Sequence, residues 1–100
     1  FVVLDEAPVT IGDDVFIGPN VGIYTACHST DPKERNTREE WAKPVTIGRN
    51  CWIGGNVTIL PGVTIGEGST IGAGSVVVKD IPSHSIAVGN PCVVIKQLED

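Results

Sequence analysis

Histidine and the aromatic residues are scarce in this chain: two His, two Trp, two Phe and one Tyr among 100 residues. So few rings mean that aliphatic packing must build the core, and two histidines narrow the choice of metal ligands and proton-transfer groups. Cysteine is sparse too. Cys27, Cys51 and Cys92 are odd in number and widely spaced, which suits neither a disulfide framework nor a structural zinc site. Free thiols and a cytoplasmic location are the expectation. Positive charge is in deficit, with seven Lys and Arg against twelve Asp and Glu, a formal net charge of -5. That balance argues against nucleic acid or an anionic membrane as a partner, apart from a local basic patch. No apolar run is long enough to span a bilayer, and nothing visible reads as a signal peptide. There is no initiator Met: Phe1-Val2-Val3-Leu4 opens the chain on an extended apolar segment, which needs a neighbouring strand. Upstream sequence is therefore expected, and 100 residues otherwise leave room for one small domain.

What the chain has in quantity is a repeat. Written in sixes it reads VTIGDD, VFIGPN, VGIYTA, then an interruption, then VTIGRN, CWIGGN, VTILPG, VTIGEG, STIGAG, SVVVKD. The third position is Ile11, Ile17, Ile23, Ile47, Ile53, Ile59, Ile65, Ile71 and Val77, and the fourth is Gly in six of nine units. A period of six fits neither a helix nor a long strand; it fits a short strand followed by a corner. The first and third residues of each unit point to one side, and glycine is expected to permit the bend. Three units close a triangular coil of 18 residues. Stacked coils then place Ile47 under Ile65, Ile53 under Ile71 and Ile59 under Val77, in ladders suited to stiff β-branched side chains. The polar corners Asp13-Asp14, Arg49-Asn50 and Glu67-Gly68 should stay in water. A β-sandwich would need less regular turn spacing. The expected fold is all-β, a left-handed parallel β-helix, although the period alone does not exclude a right-handed solenoid and general sterics favour right-handed crossovers.

The interruption keeps the six-residue phase. Residues 27–44, CHSTDPKERNTREEWAKP, are crowded with charge and leave and rejoin the solenoid at one corner. A polar insert in a compact repeat is more often functional than accidental. The repeat ends at Asp80-Ile81-Pro82. Residues 1–80 thus read as the β-helix core carrying a protruding loop, and 81–100 as a short C-terminal cap that includes the apolar run Cys92-Val93-Val94-Ile95.

Few residues could do chemistry. His28 stands at the root of the insert, near Asp31, Glu34, Glu39 and Glu40, a sensible place for a general base, though spacing alone favours an ordinary surface His. His84 follows Pro82-Ser83 and reads as a surface residue. Trp52, at the second position of its repeat, should point outward and be covered by another subunit, the insert or a ligand. Trp41 either tethers the insert or lines an acceptor pocket. Lys79 and Lys96 are candidates for phosphate contact, with little weight from composition. The Gly-rich IGEGSTIGAGS belongs to the repeat, so dinucleotide and P-loop readings are rejected.

The stretches IGPNVGIYTACHSTDPKERN, KPVTIGRNCWIGGNVTILPGVTIGEGSTIGAGSVVVKDIP and VGNPCVVIK together cover nearly the whole chain. They resemble the maltose, galactoside and nodulation-type O-acetyltransferases of the hexapeptide-repeat family. The repeat alone is shared with other enzymes, whereas His-x-x-Asp-Pro with Glu-Arg-Asn, then Lys-Pro-Val-x-Ile-Gly and Trp-Ile-Gly-Gly, is more specific. The resemblance implies acetyl-CoA as co-substrate, no catalytic metal, and direct transfer to a hydroxyl of a sugar or similar small molecule. It implies His28 as the base and Cys27 as a packing residue. It places Trp52, Gly54 and Gly55 along the pantetheine arm, the Ala73 backbone bonded to that arm, and Lys79 near the nucleotide. Asp5, Glu6 and Trp41 would lie on the acceptor side. It further implies a homotrimer with sites between subunits and no nucleic-acid or membrane partner. Three departures stand out. Val93 replaces an Arg of the galactoside-type members, leaving Lys96 as the remaining charge; Val78 replaces a Thr at a donor-contact position; and an Asn expected beside the thioester would lie before Phe1.

Two rival classes are weighed. A γ-type carbonic anhydrase needs three His across an interface, and His28 and His84 do not supply them. A non-catalytic scaffold would gain nothing evident from the charged insert or an outward Trp52.

Overall fold

The computed structural model describes residues 2–4, 7–27 and 41–98, and every regular element among them is a strand. One circuit of chain runs through β2 (Val9–Ile11), β3 (Phe16–Ile17) and β4 (Gly22–Tyr24). A short antiparallel pair follows, β5 (Ala26–Cys27) with β6 (Trp41–Ala42). The second circuit is β7 (Val45–Ile47), β8 (Trp52–Ile53) and β9 (Thr58–Ile59). The third is β10 (Thr64–Ile65), β11 (Thr70–Ile71) and β12 (Val76–Val77). Each strand pairs in parallel with its counterpart one circuit away, giving three sheets. Sheet A holds β1 (Val2–Leu4), β4, β9 and β12, and sheet B holds β2, β7 and β10. Sheet C holds β3, β8, β11, β13 (Ser85–Val88) and β14 (Val93–Gln97). The result is an elongated prism, 47 × 24 × 23 Å.

The interior is the aliphatic ladder that the period predicts. Ile47 pairs with Ile65, Ile53 with Ile71 and Ile59 with Val77, all essentially inaccessible to solvent. Each such side chain contributes about 1.5–3 kcal/mol by leaving water. The first circuit is less covered: Val9, Val15 and Ile17 are only partly buried, and Ile11 is 38% exposed. Among the described residues no helix is long and apolar enough to cross a membrane.

The bend itself is not made by the fourth-position glycine, as the repeat suggested. The left-handed residue is the sixth of the unit in seven of the nine: Asp14, Asn20, Asn50, Asn56, Gly62, Gly68 and Gly74 all have φ between 57° and 81°. Asn, Asp and Gly are the residues that tolerate that conformation. The fourth-position glycine serves the stacking. A Cβ on Gly48 would lie 2.7 Å from the amide nitrogen of Glu67, one circuit above.

The winding also continues past Asp80. Ile81 bridges to Ile65, and Ile86 and Ala87 on β13 pair in parallel with β11, at a spacing of sixteen residues instead of eighteen. Serines fill the interior where the circuit shortens. Ser69 Oγ donates to the Pro82 carbonyl at 2.8 Å and accepts from the Ser85 amide at 3.2 Å, while Ser75 Oγ accepts from the Gly89 amide at 3.1 Å. Of the apolar run expected in the cap, only Cys92 is buried. Val93, Val94 and Ile95 are exposed on β14, which pairs antiparallel with β13 as the edge strand of sheet C.

Candidate functional site

The outer face of sheet C carries a row set by strand register. Phe16 pairs with Trp52, Trp52 with Thr70, Thr70 with Ile86, and Ile86 with Lys96. Residues directly opposite each other share a face, so these five form one line along the prism axis. At about 4.8 Å per strand, the line runs roughly 19 Å from Phe16 to Lys96. Trp52 is 57% exposed and Phe16 54%, with ring centroids 4.9 Å apart and planes tilted by 50°. Two large rings side by side in water are costly unless something covers them.

Beside this row, the corner between sheets C and A is bare. Its fifth positions are Pro19, Gly55 and Ala73, where the next corner round carries Asp13, Arg49 and Glu67. Gly54 lies flush under Ala73, a Cβ there meeting the Ala73 nitrogen at 2.7 Å. Ala73 is exposed. Among the described residues no backbone carbonyl accepts from its amide, which is an open donor at the edge of the aromatic row. Trp52, Gly54, Gly55, Ala73 and Lys96 are therefore gathered on one side of the molecule.

The other named residues are not with them. The corner between sheets A and B holds the β5–β6 pair from which the insert departs, and higher up it holds the exposed Val78 and Lys79. The root of the insert is tied down: the Lys43 amide donates to the Thr25 carbonyl at 2.9 Å and the Ala7 amide to Thr25 Oγ1 at 3.2 Å. The Lys43 stem crosses Gly62, its Cδ 3.2 Å from where a Cβ would stand. This corner is opposite sheet C across the prism. His28, Asp5 and Glu6 lie outside the described residues, and Trp41 enters as a backbone position of β6 paired with Cys27.

Cys51 and Cys92 both point inward, and burial pushes each thiol above its ordinary pKa, so neither is a ready nucleophile. Among the described residues no three His, Cys, Asp or Glu side chains cluster as metal ligands would. His84, half-buried with φ 55°, packs over Gly68 at the corner between sheets B and C, away from the aromatic row. Phe16 is the residue that sequence reasoning missed. It occupies the same second position as Trp52, and that shared position was the available signal.

Comparisons with known proteins bear on the family and the fold. The model of the bacterial transferase hexapeptide (six repeats) matches residues 44–79, and that of the hexapeptide repeat of succinyl-transferase matches residues 8–26. Galactoside O-acetyltransferase of Escherichia coli is 49% identical over 98% of this chain and 48% of its own length. The structure of a maltose O-acetyltransferase from Clostridium difficile superposes with a TM-score of 0.89 at 58% identity, covering 92% of this chain and 49% of that one. A hexapeptide-repeat acetyltransferase from Vibrio cholerae, solved with acetyl coenzyme A, gives a TM-score of 0.92 at 47% identity, over 98% and 54% of the two chains. The chain thus spans about half the length of the relatives it matches. The winding shared with these neighbours is that of a left-handed parallel β-helix.

Proposed function

Because this chain belongs to the hexapeptide-repeat transferase family, we propose that it forms the donor-binding core of an acetyl-CoA-dependent O-acetyltransferase acting in the cytoplasm on a sugar or similar small molecule. The observation that carries this reading is the exposed aromatic row of sheet C, running beside the bare Ala73 corner to Lys96. The arm of coenzyme A is largely apolar, interrupted by amides and ended by phosphates. Trp52 offers the apolar surface, the Ala73 amide a hydrogen-bond donor, and Lys96 a cation at the far end. Gly54 and Gly55 keep the corner low enough for close approach. Coenzyme A supplies an activated acetyl thioester. His28 takes the proton of the acceptor hydroxyl as its oxygen forms a bond to the acetyl carbon. The carbon–sulfur bond breaks, and the thiolate receives that proton. No acyl-enzyme is needed, and positioning supplies much of the acceleration.

The division of the site argues for a trimer. In one chain the insert corner with Val78 and Lys79 and the face bearing Trp52 look in opposite directions. A threefold arrangement of prisms brings the corner of one to the face of the next at equal height, and it covers the exposed rings. Asp5, Glu6 and Trp41 would then line the acceptor side of the seam.

His28→Ala is the central test. It should lower turnover by about 10²–10⁴-fold while leaving acetyl-CoA affinity unchanged, since Trp52 and Ala73 are untouched. Unchanged turnover would rule out the general-base role, and parallel loss of affinity and melting temperature would mark His28 as an anchor for the insert. Maltose, glucose, galactosides and chloramphenicol form a suitable acceptor panel. Turnover of amines with no hydroxyl substrate would overturn O-transfer, and a concentration-independent monomer in light scattering would overturn the trimer.

A further inference from the structure

We propose that Phe16 sets the size of the acyl group that the site accepts. The inference rests on the donor reading above and extends it to a residue with no role so far. Among the described residues the row on sheet C has a polarity: Lys96 is the cation at one end, and Phe16 stands at the other. The phosphates of the donor belong with Lys96, so the acyl end of the arm points down the row, past Trp52, towards Phe16.

Height along the axis agrees independently. Phe16 belongs to the circuit β2–β4, and the β5–β6 pair that emits the insert follows directly on that circuit. In a threefold assembly with parallel axes, the neighbour's insert root meets sheet C at that level. Phe16 therefore stands where the acetyl group leaves the arm. Its ring cannot withdraw into the prism, because the inward positions of its strand and the next are taken by Ile17 and Ile53. It is braced against Trp52 at 4.9 Å. A longer acyl chain would continue down the face of sheet C, past Trp52, through the space that the Phe16 ring fills. Acetyl stops short of it.

The test compares kcat/KM for acetyl-, propionyl- and butyryl-CoA in the whole protein with one fixed acceptor. Phe16→Ala should raise the butyryl-to-acetyl ratio by about tenfold or more, the scale of one or two methylenes in an apolar pocket. Phe16→Trp should lower the propionyl-to-acetyl ratio. The side chain is more than half exposed, so the core ladders survive either change, and a melting temperature near that of the parent checks this. Ratios unmoved in both variants would overturn the inference. So would a changed acceptor preference with unmoved acyl ratios, which would assign the ring to the acceptor side. Absence of any acetyl transfer by the parent would remove the donor reading and this inference with it; transfer by the parent with unmoved ratios removes only the inference.

Discussion

The three corners of the prism are built to two different rules. At the corners joining sheets B to C and C to A, the fourth residue of each repeat is Gly without exception: Gly12, Gly48 and Gly66 at one, Gly18, Gly54 and Gly72 at the other. At the corner joining A to B it is Tyr24, Leu60 and Val78. The first two corners stack so closely that a single Cβ would meet backbone above it, at 2.6–2.7 Å for Gly12, Gly18, Gly48 and Gly54. The third has room for side chains, and it is the corner from which the insert departs. Tight stacking holds the coil together, and the looser corner is where chain can be added without breaking the ladders. The proposed functional division follows the same line, with the proposed donor surface beside a tight corner and the insert at the loose one.

The largest effect should come from placing the same residue at the two kinds of corner. Gly48→Ala puts a Cβ 2.7 Å from the Glu67 nitrogen and 2.9 Å from its Cα. Backbone must move, and the cost should reach the upper end of about 1–3 kcal/mol. Val78→Ala leaves alanine at the equivalent position of the loose corner, where the native side chain is 40% exposed, and should stay within about 0.5 kcal/mol. Denaturant midpoints of both variants decide the matter; equal losses would erase the distinction between the corners.

That distinction was present in the sequence, since the three non-glycine fourth positions recur every third repeat. The inward ladders were legible for a related reason: side-chain alternation fixes which residues meet once the period is known. The outward placement of Trp52 was legible on the same ground. The role of glycine was not legible, because a tight bend and a close stack both demand it, and only the φ angles separate them. The shortened last circuit was hidden as well. Its loss of two residues breaks the six-residue phase, so residues 81–100 read as a cap outside the repeat, with the apolar run Cys92-Val93-Val94-Ile95 as part of it. Phe16 went unweighed although it shares the second position with Trp52; strand register puts both in one row with Lys96.

A smaller effect tests how the tight corner between C and A survives that shortening. One circuit below Ser75, its parallel neighbour in the interior is Val57, with no hydroxyl. Ser75 is buried, donates to the Gly72 carbonyl at 2.6 Å and accepts from the Gly89 amide at 3.1 Å. Ser75→Ala strips the Gly89 amide of that acceptor and should cost about 1–2 kcal/mol. Hydrogen exchange at Gly89 should quicken in step. Val57→Ala would lose comparable stability through packing, with the Gly89 amide still protected, and that contrast separates stitching from filling.

The smallest effect concerns the corner between B and C, which is as tight as its neighbour but carries charge on its outer side. Arg49 Nε donates to Glu67 Oε2 at 2.7 Å, one circuit above it. That hydrogen bond, with the attraction of the same guanidinium, holds the Glu67 carboxyl below its ordinary pKa. A carboxylate with a lowered folded pKa adds stability that is complete above the pKa of the unfolded chain and is lost as pH falls through the folded value. The melting temperature of the parent should therefore exceed that of Glu67→Gln slightly at neutral pH, and the gap should close on acidification. Both side chains are well exposed, so added salt should narrow the gap at neutral pH too. A gap that persisted in acid would mean that the substituted amide packs differently from the native carboxyl group, and the charge at this corner would then serve solubility alone. Loss of the gap in acid with the coil still intact would show that the backbone stacking at Gly48 and Gly66, and not the ion pair outside it, keeps this corner closed.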